Sequence, residues 1–384
     1  MQIIKGKYSV AKVMIDVIDD TTREQIQGFV NHPAFNKKIV IMPDCHAGAG
    51  SCIGFTMPVG EYVMPQIVGV DIGCGMLAVT IGPAKIKEPD LDDFIKSEIP
   101  SGMNINDNPF SASSPRWSSF ERVCALAGID ASKALRAIGT LGGGNHFIEA
   151  SHDEEGNVWI IIHSGSRNFG KRIADFYQKK AREVMDRYFI QYDKDMEFMH
   201  FSEPWAQDYL VAMNMAQHFA HVNRWTMMNK IVKYLGATEY DSVESVHNYI
   251  DFDDRIIRKG AIRAHENELC IIPFNSADGS ALCKGKGNAE WNNSAPHGAG
   301  RLMSRTKAFA SLDLSKYQSS LSENGVYSST ANSATLDESP MAYKSAITIL
   351  EAIEPTVEVV SMLKPFYNFK AGSDKVQKGV NNGI

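Results

Sequence analysis

Cysteine and long apolar runs are both scarce in this chain. Its 384 residues include 6 cysteines, which are spread along the sequence rather than clustered as in a disulfide-stapled domain. Charged residues or proline interrupt every apolar stretch before it reaches the length that spans a bilayer. The opening residues, MQIIKGKYSV, lack the apolar core of a signal peptide. We therefore expect a cytoplasmic protein with reduced cysteines and no membrane association.

An excess of positive charge is also missing. The chain carries 39 lysine and arginine residues against 45 aspartate and glutamate residues, which gives a formal net charge of −6 at pH 7. This balance argues against a protein that coats nucleic acid generally, although it leaves room for a local basic groove. The composition, 44% hydrophobic and 22% charged, is that of a globular protein long enough to bury a large core.

The pattern of apolar residues predicts an α+β fold with mixed β-sheets flanked by helices. The predicted elements are a helix over 21–30, a strand over 38–42, a polar loop over 100–118, a helix over 121–138, a strand over 158–162, helices over 171–235 with a break at Pro204, and strands over 242–283. We expect one large catalytic domain over 1–384, with a helical insertion at 171–235 and a tail at 371–384. The Met-rich stretch Met215–Met228 is predicted to be a packed helix face.

A glycine-rich loop in PQIVGVDIGCG holds a carboxylate and a thiol close together. Asp71 and Cys74 lie three positions apart, and the surrounding glycines allow the backbone to curl around a small ligand. Carboxylate and thiolate are both anionic metal ligands. The same residues are also typical of a tight turn with a buried free cysteine, and the residues alone leave both interpretations open.

Four histidines lie at the ends of strand-like segments or in glycine-rich loops. His146 follows LGGGN, His163 ends an apolar strand, His247 closes another, and His297 lies in APHGAGR. A single histidine is more often a surface or core residue than a ligand, but repetition beside an Asp-x-x-Cys favours a metal site. Imidazole, carboxylate and thiolate suit Mn²⁺ or Zn²⁺ better than Mg²⁺. The spacing matches no zinc finger, so we expect a catalytic rather than a structural ion.

The segment after His297 carries a phosphate-binding signal. Arg301 to Arg305 is predicted to open a helix, whose N-terminus attracts phosphate, and both arginines would share one helix face. The basic loop at 284–288 and the run RIIRKGAIR add positive charge. These residues are also typical of a solvated basic surface, so they leave two interpretations open.

Several motifs follow one another between Met42 and Arg305. They are MPDCHAGAG, GVDIGCG, LGGGNHFIE, HSGSRNFG, the dipeptide HN at 247–248, RKGA, GKGN, HGAGR and MSR. In kind and order these motifs resemble the RtcB family of RNA ligases, over most of the chain. The resemblance implies an RtcB-like fold and an enzyme that uses GTP and two Mn²⁺ ions. Such an enzyme joins an RNA 3′-phosphate, or a 2′,3′-cyclic phosphate, to a 5′-hydroxyl in RNA splicing or repair.

The resemblance also implies roles for individual residues. Cys74 is expected to bridge the two ions, with His146 and His163 completing one ion's site and Asp71 and His247 the other's. The residues implied to act in catalysis are His297, Asp44 and Arg167. The residues implied to contact the nucleotide are Asn145, Phe147, Glu149, Asn275, Ser280, Gly298, Ala299, Gly300 and Lys370. His297 would take GMP from GTP and pass it to the RNA as a 3′-guanylate, and Glu149 would read the guanine edge.

Three features refine these expectations. A regular strand over 145–149 would turn Asn145 and Glu149 away from His146, so we expect the GGGNH segment to be a loop. The run FNSADGS at 274–280 stands where many family members read GSMGT. The chain also continues beyond Lys370 with AGSDKVQKGVNNGI, where many relatives stop.

Alternative functions remain open at this point. One is a metal-dependent RNA-end phosphoesterase, or a 3′-end guanylyltransferase that does not seal; another is a non-catalytic subunit that binds nucleotide or RNA. The intact HGAGR argues against hydrolysis alone, which needs no guanylylated histidine, and the full set of ligand residues argues against a binding subunit. The expected partners are GTP and RNA with a 3′-phosphate or cyclic phosphate and a 5′-hydroxyl, and we expect a monomer.

Overall fold

Two main β-sheets, one of six strands and one of seven, form the framework of the chain. The computed structural model describes residues 1–191 and 195–372, and the predicted tail at 371–384 falls almost entirely outside them. Helices pack against the sheets and two further pairs of strands lie apart. The predicted α+β class with a mixed sheet is confirmed.

Strands and helices are numbered separately in chain order. The strands are β1 (Gln2–Lys5), β2 (Val10–Val13), β3 (Ile39–His46), β4 (Ile53–Pro58), β5 (Tyr62–Val63), β6 (Gly75–Thr80), β7 (Phe147–His152), β8 (Val158–Ser164), β9 (Met199–His200), β10 (Asp241–Val246), β11 (Asn248–Ile250), β12 (Ile256–Lys259), β13 (Ala261–Arg263), β14 (Leu269–Asn275), β15 (Gly279–Gly285), β16 (Ser294–Pro296) and β17 (Val357–Lys370). The helices are α1 (Asp20–Val30), α2 (Pro65–Val68), α3 (Glu88–Glu98), α4 (Phe120–Ala127), α5 (Ala131–Arg136), α6 (Arg167–Arg187), α7 (Pro204–Tyr234), α8 (Arg305–Ser311), α9 (Leu314–Glu323) and α10 (Ala346–Ile353).

The six-stranded sheet is mixed. Its order is β1-β2-β3-β4-β12-β11, with β2 and β3 parallel and the other neighbours antiparallel. Strand β3, with the sequence IVIMPDCH, is buried at every position but the last. This sheet therefore carries Asp44 on β3 and brings it near the hairpin of β11 and β12, which begins directly after His247.

The seven-stranded sheet is antiparallel throughout, in the order β10-β6-β8-β7-β17-β15-β14. Strand β8, VWIIIHS, is buried at every position, as its β-branched residues favour, and ends at Ser164. Its neighbours begin at that same end, because Gly75 of β6 pairs with Ser164 and Phe147 of β7 pairs with His163. Residues that immediately precede β6 and β7 therefore meet the C-terminal end of β8.

Two long helices cover part of this framework. Helix α6 packs against α7, and α7 also contacts strands β6 and β8. Both lie within or beside the predicted helical stretch 171–235, and α7 begins at Pro204 as the break predicted. None of the helices in the part of the chain that the structure describes has the length and apolar character needed to cross a bilayer.

Two helix predictions are wrong in their bounds. The predicted helix over 121–138 is two helices, because Gly128 ends α4 in a left-handed conformation with φ of 61° and Asp130 caps α5 by accepting from the N–H of Lys133. The helix expected from Arg301 begins instead at Arg305, where the Ser304 side chain accepts from the N–H of Lys307.

Candidate active site

A cavity of about 780 Å³ opens between the strand ends described above. The predicted site residues that line it are Asp71, Cys74, Asn145, Phe147, Glu149, His163, His247, Asn275, Ser280, His297, Gly298, Ala299, Gly300 and Lys370. Asp44 and His146 lie behind the lining and contact it through His297, Cys74 and Asp71. Arg167 lines a second cavity of about 1100 Å³. The fold thus collects residues that the sequence spreads over more than three hundred positions.

Four of the candidate metal ligands lie at or near the ends of strands. Cys74 directly precedes β6, His146 directly precedes β7, His163 lies near the end of β8, and His247 lies between β10 and β11. These four side chains are buried, and the Asp71 side chain is 32% exposed. The predicted loop at GGGNH is confirmed, since β7 starts only at Phe147.

The ligand atoms form two groups that share the Cys74 thiol. Its Sγ lies 3.5 Å from His146 Nε2 and 3.3 Å from His163 Nε2. His146 Nε2 is 3.1 Å from Asp71 Oδ2, and His163 Nε2 is 3.4 Å from His247 Nε2. Each group, Asp71–Cys74–His146 and Cys74–His163–His247, has its ligand atoms within 4.8 Å of one another.

This grouping differs from the division between two ions that the resemblance implies. The resemblance pairs His146 with His163 and Asp71 with His247, whereas the structure places His146 beside Asp71 and His163 beside His247. The contacts lie in the loops at the strand ends, where His146 Nε2 meets Asp71 from the loop before β6 and His163 Nε2 meets His247 from the β10–β11 connection. The bridging position of Cys74 agrees with the geometry.

Backbone carbonyls orient the histidine rings. His146 Nδ1 donates to the carbonyl of Leu141 at 3.0 Å, and His163 Nδ1 donates to that of Asn145 at 3.1 Å, so each Nε2 faces the cluster. Burial lowers the pKa of His163 and His247 well below the usual value, and the neighbouring histidines lower it further. These two rings are therefore neutral, which is the form that binds metal.

A charged carboxylate completes the donor set. Burial would raise the pKa of Asp71, but the hydrogen bond and charge of His146, with Cys74 and Arg167, lower it to about 2. One carboxylate, one thiol and three imidazoles within this space fit a divalent transition ion, and they fit Mg²⁺ poorly because only one donor is oxygen.

His297 lies beside this cluster at the end of β16. Its Nδ1 is 2.7 Å from Oδ2 of Asp44, which is completely buried on β3. The ring centroid is 4.7 Å from that of His247. Gly300 allows the close approach of the two segments, since it has φ of 76° and a Cβ there would lie 2.0 Å from the Asp44 carbonyl oxygen. With its proton on Nδ1 directed to Asp44, His297 keeps the lone pair on Nε2, the form of imidazole that can act as a nucleophile.

The opposite end of the cavity is formed by strands β7, β15 and β17. Glu149 is 2% exposed; its Oε2 accepts from Asn368 Nδ2 at 2.9 Å and its Oε1 accepts from Ser151 Oγ at 3.0 Å. Lys370 Nζ donates to Glu338 Oε2 at 3.1 Å. The buried hydroxyl of Ser280 has no hydrogen-bond partner among the described residues, which is what a bound ligand would supply.

The altered run FNSADGS forms the turn between β14 and β15. Asn275 Oδ1 accepts from the N–H groups of Ala277 and Asp278, both at 2.9 Å, and Asn275 Nδ2 donates to the Asp278 carboxylate. The side chain of Asn275 therefore stabilises this turn, although the residue still lines the cavity.

A buried acidic pair binds the basic residues beside the cavity. Arg301 donates to Glu338 and to the carbonyl of Asp337, and Arg305 donates to both carboxylates. The Lys370 ammonium also pairs with Glu338, whose pKa these cations lower to about 2 although burial alone would raise it. The arginines are thus held in fixed positions rather than solvated on a helix face.

Other cavity residues were missed by the sequence analysis. His46, Asn248, Tyr343 and Asn368 all line the cavity. His46 and Asn248 lie inside two recognised motifs, MPDCHAGAG and HN, so the motifs could have identified them. Tyr343 and Asn368 lie in stretches without glycine-rich or histidine signals, and only the pairing of β17 with β7 and the bridge from Arg301 to Tyr343 bring them to the site.

Taken together, the fold and the site define an α+β protein with a buried histidine, cysteine and aspartate cluster beside a carboxylate-paired histidine. The family model of the tRNA-splicing ligase RtcB matches residues 25–371. The chain belongs to the RtcB family.

The similarity to individual relatives covers most of both chains. The chain is 31% identical to the RNA-splicing ligase RtcB of Escherichia coli K12, over 90% of this chain and 93% of the relative. It is 28% identical to the tRNA-splicing ligase RtcB of Nanoarchaeum equitans, over 88% of each chain. It is also 28% identical to that of Aeropyrum pernix, over 80% and 82%.

Proposed function

We propose that this protein is an RNA ligase that joins an RNA 3′-phosphate, or a 2′,3′-cyclic phosphate, to a 5′-hydroxyl through a guanylylated His297. Its family supports ligation of RNA. The observation that carries the mechanism is the pair His297–Asp44, at 2.7 Å beside the metal-type cluster. A histidine held in this way is a nucleophile at neutral pH, because Asp44 fixes the proton on Nδ1 and leaves the lone pair on Nε2.

The proposed reaction has three transfers at phosphorus. His297 Nε2 attacks the α-phosphorus of GTP, a P–N bond forms, and the bond to pyrophosphate breaks. An oxygen of the RNA 3′-phosphate attacks the same phosphorus, which releases the histidine and leaves a 3′-guanylate on the RNA. The RNA 5′-hydroxyl then attacks the RNA phosphorus, loses its proton, and expels GMP. A cyclic phosphate is first opened by water to a 3′-phosphate.

We propose that two Mn²⁺ ions occupy the two ligand groups, with Cys74 in both. When bound, the ions supply positive charge that stabilises phosphate oxygens and lowers the pKa of an attacking hydroxyl. The chain contributes neutral imidazoles from His163 and His247 and an ionised Asp71. The backbone carbonyls of Leu141 and Asn145 keep the rings turned toward the ions.

The nucleotide is proposed to lie along the same cavity. Glu149 accepts hydrogen bonds from the guanine edge, while Asn145, Phe147, Ser280 and Lys370 line the space between it and His297. The loop Gly298–Gly300 offers backbone close to the phosphates.

The second cavity is proposed to hold the RNA backbone. Its basic lining residues are Lys133, Arg167, Lys171, Arg172 and Arg305, with Asp130 as the acidic residue among them. Arg305 lines both cavities, so the second one leads toward the nucleophile. Phosphate contacts of this kind position a strand without reading its sequence. The net negative charge of the chain is compatible with such a local basic groove, as the composition indicated.

The cellular setting is part of the proposal. All six cysteines are free and buried, which supports a reducing compartment such as the cytoplasm. The expected monomeric state stays a prediction.

A guanylylation assay tests the proposal. Protein is mixed with GTP labelled at the α-phosphate and Mn²⁺, and a covalent, acid-labile adduct is expected in wild type and not in His297→Ala. The metal-stripped protein should form no adduct with Mg²⁺ alone, because the donor set favours a softer ion. An adduct on His297→Ala, or full labelling in Mg²⁺, contradicts the proposal. Sealed product from RNA ends distinguishes ligation from guanylylation or cyclic-phosphate hydrolysis without sealing.

A further inference from the structure

Two polar residues lie in the middle of helix α7, within the Met-rich stretch that the sequence identified as a packed face. Asn223 and Arg224 are both completely buried, next to Met227 and Met228. An amide and a guanidinium in such a position destabilise a protein unless their hydrogen-bonding groups are satisfied. Their partners therefore show what the helix contributes besides apolar packing.

Asn223 joins two loops with both ends of its amide. Its Oδ1 accepts from the N–H groups of Gly139 at 2.8 Å and Thr140 at 3.0 Å. Its Nδ2 donates to Ser164 Oγ and to the carbonyl of Gly165, both at 3.1 Å. One side chain thus fixes the segment that leads to His146 against the segment that follows His163.

The segment fixed by Asn223 carries the carbonyl that orients His146. Leu141 directly follows Thr140, and its carbonyl accepts from His146 Nδ1 at 3.0 Å and from Ser164 Oγ at 2.8 Å. Since Asn223 holds both Thr140 and Ser164, it determines where this carbonyl lies. The direction of His146 Nε2 toward Cys74 and Asp71 follows from that position.

Arg224 joins the loops of two other ligands. Its Nη1 donates to the carbonyl of Gly73 at 2.8 Å and to that of Ser164 at 2.7 Å. Gly73 directly precedes Cys74, and Ser164 directly follows His163. The remaining side of the guanidinium is held by Glu244 on β10, whose Oε1 accepts from Nε at 2.9 Å and from Nη2 at 2.7 Å.

We propose that Asn223 and Arg224 are positioning residues that hold Cys74, His146 and His163 at metal-binding separation before any ion binds. The planar guanidinium reaches two carbonyls and a carboxylate at once, which a lysine ammonium on a flexible stem does less well. The proposal rests on the proposed metal site, so it is tested by metal binding rather than by ligation.

The experiment measures Mn²⁺ affinity directly. Free Mn²⁺ is followed by electron paramagnetic resonance while metal-free protein is titrated, for wild type, Asn223→Ala, Arg224→Lys and Arg224→Met. Affinity is expected to fall roughly 10- to 100-fold in Arg224→Met and Asn223→Ala, the range seen when groups that orient metal ligands are removed. Arg224→Lys should lie between wild type and Arg224→Met, because an ammonium keeps part of the hydrogen bonding.

A matched control separates positioning from general damage. Arg182 on α6 donates to the buried Glu197, so Arg182→Met also takes an arginine away from its carboxylate partner. It should lower the thermal stability of the metal-free protein yet leave Mn²⁺ affinity within twofold of wild type. Thermal unfolding of every metal-free variant is recorded beside the titration.

Each outcome decides the inference. Unchanged Mn²⁺ affinity in folded Asn223→Ala and Arg224→Lys overturns it, and so does an equal loss of affinity in Arg182→Met. If Arg224→Met does not fold, Asn223→Ala and Arg224→Lys carry the test. A wild-type protein that binds no Mn²⁺ would instead reject the proposed metal site itself.

Discussion

At the scale of single residues, Glu149 combines burial with a position in the cavity. Burial raises its pKa to about 7, and hydrogen bonds from Asn368 and Ser151 and the charge of Lys370 offset only part of that effect. The carboxylate form accepts two hydrogen bonds from guanine N1–H and its amino group, a pattern that adenine does not offer. We therefore expect Glu149→Ala to lose most of the preference for GTP over ATP while its Mn²⁺ content is unchanged.

The raised pKa of Glu149 gives this preference a pH dependence. Guanine binding requires the charged form, which is present above about pH 7 and is lost as the pH falls below it. In a His297→Ala background, which prevents turnover, GTP affinity should drop by at most roughly tenfold per pH unit below that value. ATP serves as control because its phosphates titrate like those of GTP. Parallel profiles for both nucleotides would show that Glu149 does not read the base.

Substitutions of His297 and Cys74 should fail at different steps, although each removes a reactive side chain at the cavity. Once GMP is on the RNA 3′ end, the proposed work of His297 is complete, whereas the metal ligands are still required for the attack of the 5′-hydroxyl. His297→Ala is expected to be inactive with GTP and RNA 3′-phosphate but to seal RNA that already carries a 3′-guanylate. Cys74→Ala should be inactive on both substrates.

Gel analysis of the sealed strand measures both outcomes. If His297→Ala is equally inactive on the guanylated RNA, the histidine also acts in sealing. If Cys74→Ala seals that RNA at the wild-type rate, Cys74 is not a shared metal ligand.

At the scale of elements, the loop after β8 leaves no space for a side chain. A Cβ on Gly165 would lie 2.1 Å from Oδ1 of Asp71, so Gly165→Ala must displace this carboxylate or its own backbone. We expect Mn²⁺ affinity to fall by roughly tenfold or more, as when ligand orientation is lost. Gly28→Ala is the control, since Gly28 is in helix α1 and its added Cβ meets only the flexible end of Met196. Equal affinity in both variants would show that Asp71 tolerates displacement.

The elements also show how much of the fold and of the site could be predicted from the sequence. Strand β8 and helices α1 and α7 could be predicted because β-branched runs and helical periodicity are local signals. The division of 121–138 at Gly128 and Asp130 was also encoded locally, in a C-terminal glycine and an N-terminal cap, and was overlooked. The ligand residues could be named from motifs, but their grouping could not, because it depends on how loops distant in sequence meet in the folded chain. The role of Asn223 and Arg224 requires contacts across more than 80 positions of sequence.

At the scale of the whole molecule, each of the two large sheets in the described residues combines strands from distant parts of the sequence. Strand β17, near residue 370, pairs with β7 on one side and with β15 on the other, and β12 completes the sheet that starts with β1. The metal-type cluster is likewise drawn from residues between Asp71 and His247, and His297 pairs with Asp44. Unfolding any one of these segments therefore breaks its strand pairs or side-chain contacts with segments elsewhere in the chain.

This interdependence predicts one cooperative unfolding transition, as expected of a single catalytic domain. Differential scanning calorimetry of the metal-free protein should show one peak, and Mn²⁺ should move that entire peak to higher temperature. At a concentration one hundredfold above Kd, a ligand that binds only the folded state raises the free energy of unfolding by about 2.7 kcal/mol. Cys74→Ala is the control, because the loss of the shared thiol should abolish the shift caused by Mn²⁺ without dividing the peak. Two separate peaks in wild type, with only one of them moved by Mn²⁺, would show that the helical stretch 171–235 or another part unfolds as a domain of its own.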